Sequence, residues 1–359
     1  MNYAVRLSSL RRATRLKCDA FVVSHNTNVG YLCGFSGSSG MLLITLDRAY
    51  FITDFRYRAQ AALQVDASFE VVIAERGLWR EAARLIKKAR LERVGFEAEH
   101  TSVAALGLIE KQIRPSRAVA TERVVETLRL RKDEMEIAII RRAVAIIDDC
   151  FEHICGFIRE GQSEIQVADE LERQMRARGA SGPGFTTIVA SGERGALPHG
   201  IASDKKIARG DMITIDMGAI VDGYCSDCTR TICLGKPARR QQEIYEIVWQ
   251  AQTAAAASLR PGLGCKAADA VARAVIEKAG FGAQFGHGLG HGVGMDIHEP
   301  PRLSKLGKGA LVAGMMVTCE PGIYIEGWGG VRIEDMLLIT EDGAEILTRA
   351  RKPKGIIAL

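Results

Sequence analysis

Short apolar runs alternate with longer amphipathic ones along the first third of the chain. FVVS, MLLITL, YFIT and FEVVIA are brief and rich in β-branched or aromatic residues, and they read as strands. VRLSSLRRATRLK and WREAARLIKKAR repeat their apolar positions at helical spacing. The alternation predicts a small α/β domain over residues 1–120, bounded near IRPSRAV. The glycine-rich GFSGSSG loop lacks the Lys-Ser/Thr ending of a phosphate-binding loop and reads as a tight turn. From Glu126 the texture changes. ETLRLRKDEMEIAIIRRAVAIIDDCFEHICGFIREG reads as one long helix or two, ended by Gly161, and Ser163 with Gln166 fits a capping box for the next helix. Strand-like FTTIVAS, MITIDMGAI and TRTICLG follow, then helices around 239–258 and 265–279. A glycine- and histidine-rich stretch, MMVTCEPGIYI and VRIEDMLLIT complete the domain. Residues 121–359 therefore predict an α+β domain on a curved, mostly antiparallel sheet.

Composition narrows the function classes. A chain of 359 residues has room for two cores, and 47% hydrophobic with 25% charged residues is ordinary for a globular protein. No apolar run approaches the ~20 residues that span a bilayer. The Arg-rich first helix runs straight into AFVVS, so it reads as structure rather than a targeting segment. A net charge of +5 spread along the chain gives no footprint for nucleic acid. Nine cysteines without a secretion signal point to reduced thiols and a cytoplasmic protein.

Candidate chemistry concentrates in the second domain. Asp216 and Asp227 flank an Asp222-Gly223 turn signal. A two-residue turn there sets Asp227 opposite Gly218, two residues from Asp216, so both carboxylates leave one face of a hairpin. Paired anions on such a face repel unless a cation lies between them; capping and solvation are the plain alternatives. Cys225 and Cys228 form a C-x-x-C, but opposite strand parity turns them to opposite faces and argues against zinc or redox chemistry. Glu320 ends a strand at Pro321-Gly322. Glu334 lies in a run too apolar for an exposed edge, where it is either a ligand or paired with Arg332 on the same face. Three of the seven histidines, His287, His291 and His298, crowd into GHGLGHGVGMDIHEP, where glycine at nearly every second position excludes a helix. Four carboxylates and one imidazole match two divalent cations, and oxygen-rich ligation favours manganese, cobalt or iron over structural zinc.

The ordered set Asp216, Asp227, His291, Glu320, Glu334 resembles the ligands of the pita-bread metallopeptidases, which include methionine aminopeptidase, aminopeptidase P and prolidase. HGLGHGVGMDIHE, ALPHG, TCEPGIY and GGVRIED are similar to the proline-specific members, and the likeness covers the whole chain. The resemblance implies a creatinase-like N-terminal domain and a catalytic pita-bread domain. His291 and Glu320 would hold one metal and Asp216 the other, with Asp227 and Glu334 bridging. His199, His287, His298 and Arg332 would face substrate, and His199, His298 and Glu320 would take part in catalysis. The cofactor implied is a pair of divalent ions, manganese first, with cobalt, iron or zinc as alternatives. The reaction expected is removal of the N-terminal residue from peptides with proline second, by a homodimer. Prolidase, restricted to dipeptides, is the nearest alternative. Creatinase-like metal-free chemistry and a non-catalytic binding module are disfavoured by the full ligand set.

Overall fold

The alternating runs of the first third become a six-stranded sheet with helices between its strands. In chain order these are α1 (Tyr3–Thr14), β1 (Ala20–Val23), α2 (Asn26–Cys33), β2 (Gly40–Thr45), β3 (Ala49–Thr53), α3 (Arg58–Gln64), β4 (Glu70–Ile73), α4 (Leu78–Lys88), β5 (Arg93–Glu97), α5 (Val103–Ile113), β6 (Arg117–Thr121) and α6 (Val124–Arg129). The computed structural model describes residues 1–15 and 17–359. The sheet order is β4-β3-β2-β1-β5-β6, with β1, β5 and β6 parallel to one another. The chain divides into units Met1–Arg129 and Leu130–Leu359. The first unit thus runs nine residues past the expected boundary at 120, because the IRPSRAV stretch feeds the edge strand β6. Arg129 then closes the unit, its Nη1 donating to Asn28 Oδ1 at 2.8 Å.

The second unit opens with α7 (Glu134–Phe157), which starts at a capping box between Asp133 and Glu136, so the long amphipathic run is two helices. It continues through α8 (Glu164–Ala177), β7 (Gly182–Pro183), β8 (Ile188–Ser191), β9 (Met212–Met217), β10 (Ala219–Val221), β11 (Tyr224–Cys225), β12 (Cys228–Cys233), α9 (Arg239–Ser258) and α10 (Cys265–Lys278). It ends with β13 (Gly290–Gly292), β14 (Glu299–Leu303), β15 (Met316–Cys319), β16 (Gly322–Ile325), β17 (Gly329–Arg332), β18 (Asp335–Ile339), β19 (Ala344–Ile346) and β20 (Ile357–Ala358). Pairing is antiparallel except between β12 and β20. The expected sheet is divided into shorter ones, among them β20-β12-β9-β8 and β14-β13-β15-β18-β19.

Two apolar cores hold these layers. Ile147, Phe151 and Ile154 of α7 and Leu171 of α8 pack with Ile213, Ile215 and Ile232 of β9 and β12. Val248 of α9 and Ala268 of α10 pack with Val317, Val331 and Leu337 of β15, β17 and β18. Helices therefore back both sheets, while the strand faces away from them carry the polar residues described next.

Candidate metal centre

The Asp222-Gly223 turn forms as the sequence implies, with both residues at positive φ, 47° and 82°. Beyond it Ile220 pairs with Cys225 and Met217 with Cys228, so one register runs along the hairpin and Asp227 falls opposite Gly218. Gly218 marks a break between the two ladders: a Cβ there would lie 2.3 Å from the Ser226 carbonyl oxygen. Asp216 and Asp227 share a face, and Thr229, paired with Asp216, projects beside them.

The other carboxylates arrive from the neighbouring sheet. Glu320 follows β15 and is held by its backbone N–H on the Leu289 carbonyl at 2.8 Å. Glu334 sits in the two-residue gap between β17 and β18, where its N–H donates to Thr229 O at 3.1 Å and its Oε2 accepts from Thr229 Oγ1 at 2.7 Å. His291, in β13, donates Nδ1–H to the Gly292 carbonyl at 3.0 Å, which turns Nε2 toward the acids. That Nε2 is 3.6 Å from Asp227 Oδ2 and 3.3 Å from Glu320 Oε1. Ligand atoms of Asp227, His291 and Glu334 all lie within 4.8 Å of one another. The flanking glycines permit this: a Cβ on Gly290 would sit 2.2 Å from Thr318 O, and one on Gly292 would sit 2.1 Å from Pro300 O. The histidine strand is thus wedged against its neighbours at a distance only glycine tolerates.

The electrostatics mark a site short of positive charge. Burial, with Glu334 and Asp216 adding repulsion, pushes Asp227 well above the usual carboxylate range. Burial, with Glu320 and Asp216, does the same to Glu334. Asp216 is also raised, burial outweighing the pull of Arg332. Glu320 goes the other way: burial raises it, but the hydrogen bond and charge of His291 bring it to about 2. Asp216 Oδ1 and Glu334 Oε1 are buried without a hydrogen-bond partner. Buried carboxylate oxygens that lack donors, among acids that resist ionising together, are what a cation-binding cradle presents. The donor set of carboxylates and one imidazole therefore fits hard or borderline divalent ions.

Around the acids the structure corrects one pairing and adds residues. Arg332, expected beside Glu334 or substrate, donates Nη2 to Asp216 Oδ2 at 2.7 Å. Its remaining nitrogens reach Thr229 Oγ1 (3.0 Å), Pro198 O (3.2 Å) and Tyr324 Oη (2.9 Å). Only 3% exposed, the guanidinium is committed to protein partners. Tyr324, in the quoted TCEPGIY but assigned no role from sequence, lies 2.9 Å from His287 Nε2. Because His287 Nδ1 gives its proton to the Gly288 carbonyl at 2.8 Å, the phenol donates to Nε2. His298 is exposed, with its ring 4.4 Å from that of His291. Burial, then His291 and His199, hold its pKa down, which places the exposed His199 within electrostatic reach. Arg302 was missed altogether. It is the cross-strand partner of His291, it is exposed, and no hydrogen bond or ion pair engages its side chain among the described residues. The signal was present in HEPPRL, as a lone cation directly after the two prolines. Cys225 and Cys228 are both buried and turned to separate carbonyls, those of Met295 and Glu334.

An α/β unit ahead of a pita-bread unit with a carboxylate-rich centre defines the class. The chain belongs to metallopeptidase family M24, whose description matches residues 138–341, and residues 6–131 match the creatinase/prolidase N-terminal domain. It is 40% identical over 342 residues to the Xaa-Pro dipeptidase of Pyrococcus horikoshii, covering 93% of each chain. The solved structure of an Xaa-Pro dipeptidase from Bacillus anthracis superposes with a TM-score of 0.96 at 42% identity, over 100% of both chains. That of X-Pro aminopeptidase from Thermotoga maritima gives 0.89 at 37% identity, over 97% of this chain and 100% of that one. The protein is accordingly a metallopeptidase, and its family implies divalent metal ions. Among the described residues no helix is long and apolar enough to cross a membrane.

Proposed function

We propose that this protein hydrolyses the Xaa-Pro bond of dipeptides. The expectation from sequence put trimming of longer peptides first. The names of the Pyrococcus and Bacillus relatives favour the dipeptide reading, although the Thermotoga neighbour carries the other. The observation that carries the proposal is the convergence of Asp227, His291 and Glu334 beside the donor-less oxygens of Asp216 and Glu334. In this reading His291 and Glu320 would hold one ion and Asp216 the other, with Asp227 and Glu334 available to both. Manganese is the ion proposed, with cobalt, iron and zinc as alternatives. When bound, such a pair polarises the scissile carbonyl and lowers the pKa of the attacking water.

The chain's own groups supply the rest. Glu320 takes a proton from the attacking water and delivers it to the proline nitrogen as the C–N bond breaks. His199 donates to the oxygen that becomes negative, and His298 orients the substrate from the opposite side. His287 acts through Tyr324, and Arg332 positions Asp216 and Tyr324 rather than gripping substrate. A dipeptidase also has to hold a free proline carboxylate, for which a cation with uncommitted donors suits best. Arg302 meets that requirement; Arg332, with its partners already in place, does not. A homodimer working in the cytoplasm belongs to the same proposal, consistent with nine buried cysteines.

The test offers Ala-Pro, Ala-Pro-Ala and Ala-Ala to manganese-loaded enzyme and follows released alanine. Ala-Pro is expected to give the highest kcat/KM and Ala-Ala little turnover. Arg302→Ala is expected to raise KM for Ala-Pro by ~10-fold or more, the scale of one charge-assisted hydrogen bond. Preference for Ala-Pro-Ala, with an Arg302 variant that behaves normally, would return the assignment to aminopeptidase P.

A further inference from the structure

The N-terminal unit carries a second convergence of metal-ligating side chains, which peptide hydrolysis does not use. Strands β1, β5 and β6 run parallel, so their carboxyl ends share one edge, the edge at which open α/β sheets take ligands. From that edge project His25, two residues past β1, His100, three past β5, and Glu126, in the first turn of the helix after β6. One ligand atom from each lies within 4.8 Å of the other two. His100 Nε2 is 3.0 Å from Glu126 Oε1, close to the separation two ligands keep around one ion at bond lengths of ~2.0–2.2 Å.

The cluster is built from beneath. Asn28 Nδ2 donates to Glu126 Oε1 at 2.6 Å and to Glu97 Oε1 at 2.7 Å, while its Oδ1 accepts from Arg129. The other oxygen of Glu97 accepts the backbone N–H groups of Ser24 and His25 at 2.7 and 2.9 Å. This buried network fixes Glu126 and the backbone that carries His25, as supporting shells do around metal ligands. The His25 and His100 rings stack at 3.7 Å with planes 5° apart. Stacked rings keep their in-plane lone pairs in parallel planes, so joint ligation requires one ring to tilt. His100 is free to do so: its side chain is 28% exposed and it ends a single helical turn.

We propose that His25, His100 and Glu126 form a separate site for a borderline transition-metal ion such as Zn2+. Two imidazoles and one carboxylate make a nitrogen-rich set, in contrast to the oxygen-rich centre of the second unit, so the two differ in metal preference. The site does not depend on the dipeptidase reading.

Full-length protein saturated with Mn2+ is dialysed against Zn2+ at equilibrium, and both metals are measured by elemental analysis. Wild type is expected to bind one equivalent of Zn2+ more than His100→Ala. Any exchange into the catalytic centre is common to both proteins and cancels in the difference. Mn2+-loaded His100→Ala is expected to cleave peptide as wild type does. Cu2+ in the wild-type site should give an electron paramagnetic resonance spectrum coupled to two ring nitrogens, and His100→Gln should lose one of them. Equal Zn2+ content in folded wild type and His100→Ala, or a Cu2+ spectrum unchanged by His100→Gln, would overturn the site.

Discussion

Replacing Arg332 with lysine separates a substrate clamp from a positioning residue. The guanidinium spends its donors on Asp216, Thr229, Tyr324 and Pro198, at 2.7, 3.0, 2.9 and 3.2 Å. Lysine keeps the charge but concentrates its donors on one atom, so it cannot serve partners spread around a planar fork. The bond most at risk is the charge-assisted one to Asp216, and such bonds contribute about 1.5–3 kcal/mol. If half to all of that energy is felt only when the centre is assembled for reaction, kcat falls by ~3- to 150-fold, since ~1.4 kcal/mol is tenfold. KM should move little if Arg332 positions Asp216 and Tyr324 and makes no contact with substrate. Metal affinity should fall by a similar factor at the ion nearest Asp216, as for other groups that orient a ligand. The assay is steady-state hydrolysis of Ala-Pro alongside metal content after dialysis at limiting Mn2+. A KM that rises while kcat and metal content stay at wild-type values would make Arg332 the substrate cation and sink the positioning role.

Two further outcomes follow from the same geometry. Glu334→Ala is expected to lose both metal ions and all hydrolysis, whereas Asp216→Ala should retain about one ion; elemental analysis showing equal losses would dismiss the distinction between shared and single ligands. In the first unit, burial raises the Glu97 carboxyl above its ordinary 4.5. A group raised in the folded state contributes stability that is present below its unfolded pKa and lost as pH rises through the folded one. Glu97→Gln, neutral throughout, should therefore gain stability relative to wild type as pH rises above the ordinary 4.5. Urea unfolding of variants that keep Trp79 but carry Trp249→Phe and Trp328→Phe measures that gap by fluorescence, and a gap that narrows with rising pH would contradict the sign.

Much of the fold was legible because burial writes itself as periodicity. The strands FVVS, MLLITL and YFIT are buried nearly throughout, and an uninterrupted apolar run leaves few other readings. What escaped was polar or glycine-bearing at the wrong place. RVGFE, the strand β5, mixes an exposed arginine with a glycine over which Phe21 packs, at 2.7 Å from where a Cβ would stand. The domain boundary was drawn early because the proline and basic residues in IRPSRAV look like a linker, although its last three residues pair with β5 in an edge strand. Edge strands have one solvated side, and their sequences resemble loops for that reason.

The centre divides along the same line. Faces set by parity inside a continuous ladder were readable, as Asp216 and Asp227 demonstrate, because one turn and one register determine both. The Arg332–Glu334 pairing failed because parity was carried across Ile333 and Glu334, where the ladder is interrupted. In that gap Thr229 stands between the two, donating to Glu334 at 2.7 Å and accepting from Arg332 at 3.0 Å. Arg332 is left to reach Asp216 on the other strand. A hydroxyl that donates to one charged group and accepts from another belongs to packing between sheets, and no local pattern encodes it. The same holds for Tyr324 and His287, thirty-seven positions apart and joined by one hydrogen bond. Local sequence determined which side chains could ligate a cation; the hydrogen bonds made between sheets determined which of them are held still.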